Sequence, residues 1–421
     1  MVESRVKINS AQDGRSFTFD PGLSTVGLGN PEDTMEAAQA FPEAKRSFTE
    51  RQLAGLQSAA AVHLTFHITL ACPLKCAHCI VEAGPGMQHT TMPAEVARRY
   101  ASQMPELYAY GIRLVSFTGG EPLLAREQLE TLSNAAAAAG MTCGVVTAAH
   151  WAASERVALR VVDGLPGISI WDMSIDAYHE PFVSPERVRT AYHAVKSRGR
   201  EPVVRFAYHQ PMTQRDRELK EFIQSFADEP EICSQRIRSV GRASDLPVIN
   251  SPDDTTFAKP CLTKGLVIRY DGSMAPCCIN LVEERRHPFQ FGDARERPLT
   301  EIHAEYLAHP LLQMIRVLGF GPVMRWLEEA GVPRESLGPM PDDVCDFCPK
   351  VVTNPKWAEY LAARAASPEN RLKLAVLARN FLGEPGMLGR AVEELRGCGS
   401  EIEGFELAER LAAEDAAGSA P

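Results

Sequence analysis

The sequence predicts an α/β fold, a partial (β/α)6 TIM-like barrel followed by a small auxiliary domain built from a β-hairpin and helices. Three observations predict it. From about residue 61 to residue 243, short apolar runs alternate with helical stretches of about 10–15 residues, the pattern of parallel strands joined by right-handed crossovers. Six strand candidates fall in that span, which suits an open barrel rather than a closed eight-stranded one. Past residue 245 the alternation stops, and a hairpin turn is followed mostly by helix.

Residues 1–60 are polar and irregular, punctuated by Asp20-Pro21-Gly22 and Gly27-Leu28-Gly29-Asn30-Pro31, with one helix expected near 46–58. Ala61–Leu70 reads as the first strand. Pro93 opens a helix whose Val96, Tyr100, Met104 and Leu107 form one stripe. Leu114–Phe117 is a short buried strand ending at Thr118-Gly119-Gly120-Glu121-Pro122. A helix over about 125–139 closes at Gly140, a suitable C′ glycine. Thr142–Thr147 is a strand, 153–163 a helix and Ile168–Ile175 a strand. Ser184-Pro185-Glu186 starts a helix with Val188, Tyr192 and Val195 inward. Pro202–Tyr208 and Arg236–Val240 complete the strands. Residues 246–260 read as loop. A hairpin over 265–279 turns at Asp271-Gly272. Helix then dominates from 296, broken at Gly319–Pro322 and Pro333–Pro341, with a frayed end over Ala412–Pro421. The division that follows is 1–60 as an N-terminal extension, 61–245 as the core, 246–350 as an auxiliary domain and 351–421 as a helical tail.

The 421 residues are 45% hydrophobic and 23% charged, enough for a core that needs no disulfides. A formal charge of −10 argues against a nucleic-acid binder. No run approaches the ~18 apolar residues of a membrane span, and the start lacks a secretory apolar stretch. A cytoplasmic location is the expectation. There, 11 cysteines read as metal ligands or reactive thiols rather than disulfides.

Cys72, Cys76 and Cys79 form a C-x3-C-x2-C run directly after the first strand. Three thiolates on one short loop can hold three irons of a cubane cluster and leave the fourth open. Zinc is the alternative, with His78 or His89 as fourth ligand. The Gly-Gly-Glu-Pro run follows the second strand. In parallel α/β folds both runs lie at the carboxyl ends of strands, where chemistry gathers.

These two runs, with His78 before the third cysteine, resemble the radical S-adenosylmethionine (SAM) superfamily over roughly residues 61–243. The resemblance implies a [4Fe–4S] cluster on Cys72, Cys76 and Cys79 whose open iron binds SAM. Reductive cleavage of SAM would then give a 5′-deoxyadenosyl radical that abstracts a substrate hydrogen. Gly119, Gly120 and Glu121 would cradle the methionine amino group, the glycines because backbone must approach closely. Ser174 and Asp176, at the end of the fourth strand, match positions that hold the SAM ribose or shape the substrate pocket; ordinary strand-end polar residues are the alternative. A reductant such as flavodoxin or ferredoxin is implied, with no nucleic acid and no membrane partner.

Downstream, Cys261, Gly272 and Cys277 stand as C-x10-G-x4-C, and Cys345 and Cys348 as C-x2-C. This resembles the auxiliary-cluster domains called SPASM and Twitch, and implies a second [4Fe–4S] cluster on these four cysteines, with Cys278 able to replace Cys277. The later cysteines of a full SPASM pattern are missing, which fits the shorter Twitch form. A four-cysteine zinc site is the alternative. Cys143 reads as a core thiol, and Cys233 and Cys398 as buried thiols or hydrogen-atom donors. Gly241-Arg242-Ala243 resembles a tripeptide that relatives carry after the sixth strand, and reads equally as a SAM-contacting or barrel-closing loop or as surface arginine. Tyr178, His179, His150 and His209 sit near strand ends. The reaction the resemblance puts first is modification of a peptide or other natural-product precursor. Next comes oxidation of an aminocyclitol or sugar alcohol, and a zinc-binding scaffold without catalysis is the alternative of another class.

Overall fold

The computed structural model describes residues 7–8, 17–18, 59–246, 261, 265–277, 281, 286–337, 344–382, 387–397, 402 and 404–418. The helix expected near 46–58, the loop at 247–260, Cys278 and Cys398 lie outside the described residues. Lys7–Ile8 and Phe17–Thr18 form a small antiparallel ladder.

Six parallel strands make the core: β1 His63–Thr69, β2 Leu114–Gly119, β3 Thr142–Thr147, β4 Ile170–Ile175, β5 Glu201–Tyr208 and β6 Ile232–Arg236. They stand in sequence order, each paired in parallel with the next. β7 Leu266–Arg269 adds in parallel to the free side of β1 and turns at Gly272 into antiparallel β8 Met274–Ala275. The sheet order is therefore β8-β7-β1-β2-β3-β4-β5-β6, an open barrel whose β1 edge is covered by the downstream hairpin. Covering that edge satisfies backbone groups that would otherwise invite another chain.

The alternation of residue types fixes the two faces. Leu64, Phe66 and Ile68 of β1, Val115 and Phe117 of β2, Trp171, Met173 and Ile175 of β4, and Val204 and Phe206 of β5 are buried against the helices. These are α1 Ala94–Ser102, α2 Met104–Tyr110, α3 Arg126–Ala138, α4 Glu155–Asp163, α5 Pro185–Ser197 and α6 Gln214–Gln224. Most intervening positions of β1, β2 and β4 are polar, namely His63, Thr65, His67 and Thr69, then Ser116 and Thr118, and Asp172 and Ser174, while β5 offers Arg205 between the apolar Val203 and Ala207. They form the concave wall of the barrel. Past the hairpin come α7 Leu299–Ala308, α8 Pro310–Leu318, α9 Gly321–Glu329, α10 Val344–Val352, α11 Pro355–Ala365, α12 Pro368–Leu382, α13 Leu388–Leu395 and α14 Phe405–Gly418. No helix among the described residues is long and apolar enough to cross a membrane.

Three expectations need correction. The stripe from Val96 to Leu107 spans two helices, because Pro105 has no N–H to continue α1 and instead occupies the first turn of α2. The sixth strand is Ile232–Arg236, upstream of the expected Arg236–Val240. The apolar Ile237 and Val240 that suggested the later strand are buried in the following loop. The C-terminal stretch expected to fray is helical through Gly418.

Candidate functional site

β1 ends at Thr69 and the chain enters the three-cysteine loop. Cys72 N–H donates to Gly84 O at 3.1 Å, and Gly84 N–H donates to Leu70 O at 3.1 Å. Inside, Cys79 N–H donates to Cys76 O at 3.3 Å. Cys76 is buried, Cys72 and Cys79 are half-buried, and all three thiols are free. Burial pushes the Cys72 thiol up to about 12; its neighbours Glu121, Cys76 and Cys79 push the same way against a Leu74 N–H.

The β2 loop lies directly on this one. Gly120 N–H donates to Thr69 O at 2.6 Å and Glu121 N–H to Ala71 O at 2.8 Å. A Cβ on Gly119 would sit 2.1 Å from Thr69 O, and one on Gly120 would sit 2.3 Å from Ala71 O. The glycines are thus required by the backbone at the end of β1, a reason the sequence did not offer. Glu121 is fully buried. Its carboxylate accepts from Leu123 N–H at 3.3 Å, Thr147 Oγ1 at 2.9 Å and Ala148 N–H at 3.0 Å, with His150 Nδ1 3.3 Å away. It ties the β2 loop to the end of β3.

The β6 loop closes the other side. Gly241, at φ +58°, leaves no room for a side chain against the carbonyls of Cys79 and Ile80, each 2.6 Å from a Cβ placed there. Arg242 N–H donates to Cys79 O at 3.1 Å. Its guanidinium donates twice to Cys76 O, at 2.8 and 3.0 Å, and once to Ala83 O at 2.9 Å. Gly241-Arg242-Ala243 therefore packs on the three-cysteine loop and is not free surface.

At the end of β4, Asp176 is 1% exposed and its carboxylate accepts four hydrogen bonds. Tyr178 N–H and His179 N–H each approach at 2.9 Å, His78 Nε2 at 3.0 Å and His179 Nδ1 at 2.7 Å. Burial alone would raise its pKa. The charges and hydrogen bonds of His179 and His78 win and hold the carboxyl well below the usual carboxylate range. Asp176 therefore fixes the residue before Cys79 to the sheet. Asn at this position would turn one acceptor into a donor facing N–H groups, and should cost about 2–3 kcal/mol. Because the folded pKa is depressed, this stabilisation is present above the unfolded value of about 3.9 and fades as pH falls through the folded one. The Tm gap between wild type and D176N should accordingly be wide at pH 6 and shrink below about pH 4; an equal gap at both would contradict the assignment.

Tyr178 stacks on His78 with centroids 5.1 Å apart, and its hydroxyl lies 3.0 Å from His209 Nε2. His209 Nδ1 lies 2.9 Å from buried Asp216, which also caps α6 in a capping box with Thr213. Burial opposes ionisation of Asp216, but the Thr213 and His209 hydrogen bonds lower its pKa. The Asp216 carboxylate accepts a hydrogen bond from His209 Nδ1–H and so turns Nε2 toward the Tyr178 hydroxyl. Burial, with Asp176 and Asp216, raises the Tyr178 pKa. Deeper in the wall, Asp172 and Arg205 form an ion pair beside Ser174, which is half-buried and in register with Arg205.

The second cysteine set also gathers. Cys261 N–H donates to Ile315 O at 2.9 Å, Cys277 follows β8, and Cys345 and Cys348 lie one turn apart on α10. Burial pushes the Cys348 thiol well above its ordinary value, and Cys261 and Cys277 add to it. Arg238 Nη1 donates to Cys345 Sγ at 3.0 Å. Neither Arg238 nor Asp216 was visible as functional in the sequence. Cys143 is buried in β3 as expected, with burial raising its pKa to about 12. Cys233 is half-buried on β6, 3.6 Å from Arg205 Nη1.

Comparison with known families places this geometry. Residues 66–223 match the radical SAM superfamily, and residues 261–316 match SPASM, an iron–sulfur cluster-binding domain. The chain carries a radical SAM domain followed by a SPASM domain. The radical SAM domain implies a [4Fe–4S] cluster with SAM, and the SPASM domain implies further iron–sulfur clusters. No curated protein matches the chain. Among solved structures, it is similar to BtrN in complex with AdoMet and 2-DOIA, at 14% identity, covering 63% of this chain and 89% of that one, with a TM-score of 0.36. It is also similar to HydG, a maturase of the [FeFe]-hydrogenase, at 12% identity, covering 95% and 97%, with a TM-score of 0.35. At these scores neither likeness carries weight for fold or function.

The donors on the radical SAM loop suit such a cluster: three thiols in no disulfide, on a loop held from outside by main-chain bonds, by Arg242 and by Asp176 through His78. Cys76, His78 and His179 also place ligand atoms within 4.8 Å of one another, and each imidazole bonds Asp176 through one nitrogen and keeps the other, so zinc stays the competing occupant that metal analysis must exclude.

Proposed function

We propose that this chain is a radical SAM enzyme that generates a 5′-deoxyadenosyl radical and abstracts hydrogen from a small substrate rich in hydroxyl groups. The observation that carries the first half is the direct backbone contact between the three-cysteine loop and the Gly119-Gly120-Glu121 loop. When bound at Cys72, Cys76 and Cys79, the cluster supplies the electron that cleaves SAM. Asp176 holds the loop through His78, Arg242 holds its carbonyls, and Glu121 keeps the two strand ends together. Ser174 lies on the concave face of β4 and is assigned to SAM or substrate. Cys261, Cys277, Cys345 and Cys348 are assigned to one auxiliary cluster, within a division of core at 61–245, auxiliary domain at 246–350 and helical tail at 351–421.

The sequence put a peptide or other natural-product precursor first. The concave wall favours the runner-up, oxidation of an aminocyclitol or sugar alcohol. Its half-buried Thr118 and Ser174 are hydrogen-bonding groups suited to hydroxyls, and no observation favours a peptide. Anaerobic reconstitution tests both parts. The expected result is about eight irons per chain, as two cubane clusters require, and 5′-deoxyadenosine on adding SAM and dithionite. Polyhydroxylated substrates deuterated at carbon should pass deuterium into 5′-deoxyadenosine. Stoichiometric zinc with no cleavage would overturn the enzyme reading in favour of a zinc scaffold. Deuterium transfer only from peptides would overturn the substrate class.

A further inference from the structure

The loop after β6 touches both cysteine sets within five residues. Arg242 grips the carbonyl of Cys76, and Arg238 donates to Cys345 Sγ at 3.0 Å. Arg238 is half-buried, and its own segment is anchored: Ile237 N–H donates to Tyr208 O at 2.8 Å, and Val240 N–H donates to Arg238 O at 2.9 Å. A guanidinium keeps its charge at any pH the protein survives. The radical SAM core thus contributes a fixed positive charge and an N–H donor to a sulfur of the other domain.

We propose that Arg238 sets the reduction potential of the auxiliary cluster through its charged hydrogen bond to Cys345. This rests on the reading of Cys261, Cys277, Cys345 and Cys348 as that cluster's ligands. The physical reason is electrostatic. One-electron reduction adds negative charge that spreads onto the ligand sulfurs. A donor N–H and a positive charge at one of them stabilise the reduced state more than the oxidised state, and hydrogen bonds to sulfur are an established lever on such potentials. Partial burial weakens screening by water and strengthens the effect. The core would in this way hold the auxiliary centre ready to accept an electron, using the same loop that positions the radical-generating cysteines.

The test is a redox titration followed by electron paramagnetic resonance. It is run on the full chain carrying C72A, C76A and C79A, so that only the auxiliary signal is read. R238M removes charge and donor, and should lower the equilibrium constant for reduction about tenfold, which is ~59 mV for a one-electron couple. R238Q keeps a donor without charge, R238K keeps charge without the planar fork, and both should fall between. R189M, on α5 where Arg189 pairs with Glu186 and lies over Phe222, is the control and should leave the potential unchanged. An unchanged potential in R238M overturns the proposal alone. If R238M does not assemble a cluster, R238Q and R238K decide by the same criterion. The parent triple variant is read first: no iron on it means that the four downstream cysteines hold no cluster, and the auxiliary reading falls together with the proposal.

Discussion

Replacing Cys72, Cys76 and Cys79 together with alanine should abolish 5′-deoxyadenosine formation while leaving the protein folded and the second cluster in place. The expectation of a folded protein comes from how the loop is held. Cys72 N–H and Gly84 N–H bridge the strand ends through main-chain carbonyls. Arg242 grips the carbonyls of Cys76 and Ala83, and Gly241 packs on those of Cys79 and Ile80. None of these contacts uses a thiol. Among the three, only Cys76 is buried, so truncation should cost about 1 kcal/mol. Iron should fall from about eight to about four per chain, with the far-UV circular dichroism unchanged. Residual cleavage in the triple variant would remove these cysteines from the mechanism. Loss of all iron with an unchanged fold would mean that the second set cannot hold a cluster by itself.

The strand positions and the cysteine loop were legible because their signals are local. Apolar alternation marks a strand within six or seven residues, and the C-x3-C-x2-C spacing is complete within eight. β6 was displaced in the reading because Ile232–Arg236 is an edge strand with mostly polar residues, and the better apolar signal lies in the loop after it. The parts of the site that join distant elements carry no such local signal. Arg242 reaches Cys76 across 166 residues of chain, and Arg238 reaches Cys345 across 107. An arginine after a polar strand looks like surface until the fold shows what it grips. Glu121 was singled out for a cofactor, yet its buried carboxylate is also the knot between β2 and β3, which only the neighbouring Thr147 and Ala148 reveal. The glycines beside it were legible as a close approach, while the group approached was not.

That close approach makes Gly120→Ala a severely damaging single-methyl change in the core. The built Cβ would stand 2.3 Å from Ala71 O and 2.7 Å from the carbonyl carbons of Leu70 and Ala71. These are main-chain atoms at the end of a fully buried strand, so no side chain can swing away to make room. The backbone must part, and the bonds at risk are Gly120 N–H to Thr69 O and Glu121 N–H to Ala71 O. Cys72 is the next residue after Ala71, so the same movement shifts the first thiol of the triplet. Two hydrogen bonds and a forced displacement of a packed strand end together put the loss at about 4 kcal/mol. Gly84→Ala serves as the comparison within the same loop. Its Cβ would meet only Leu74 O, at an ordinary 4.0 Å, and its loss should stay near the ~0.5 kcal/mol of an uneventful substitution. Thermal unfolding of the two variants should therefore separate clearly, and G120A should also bind less iron on the first loop while retaining it on the second. Equal stability of G120A and G84A would show that the β1 and β2 ends do not meet as closely as described, and would remove the geometric basis for joining the cysteine loop and the Gly-Gly-Glu loop in one site.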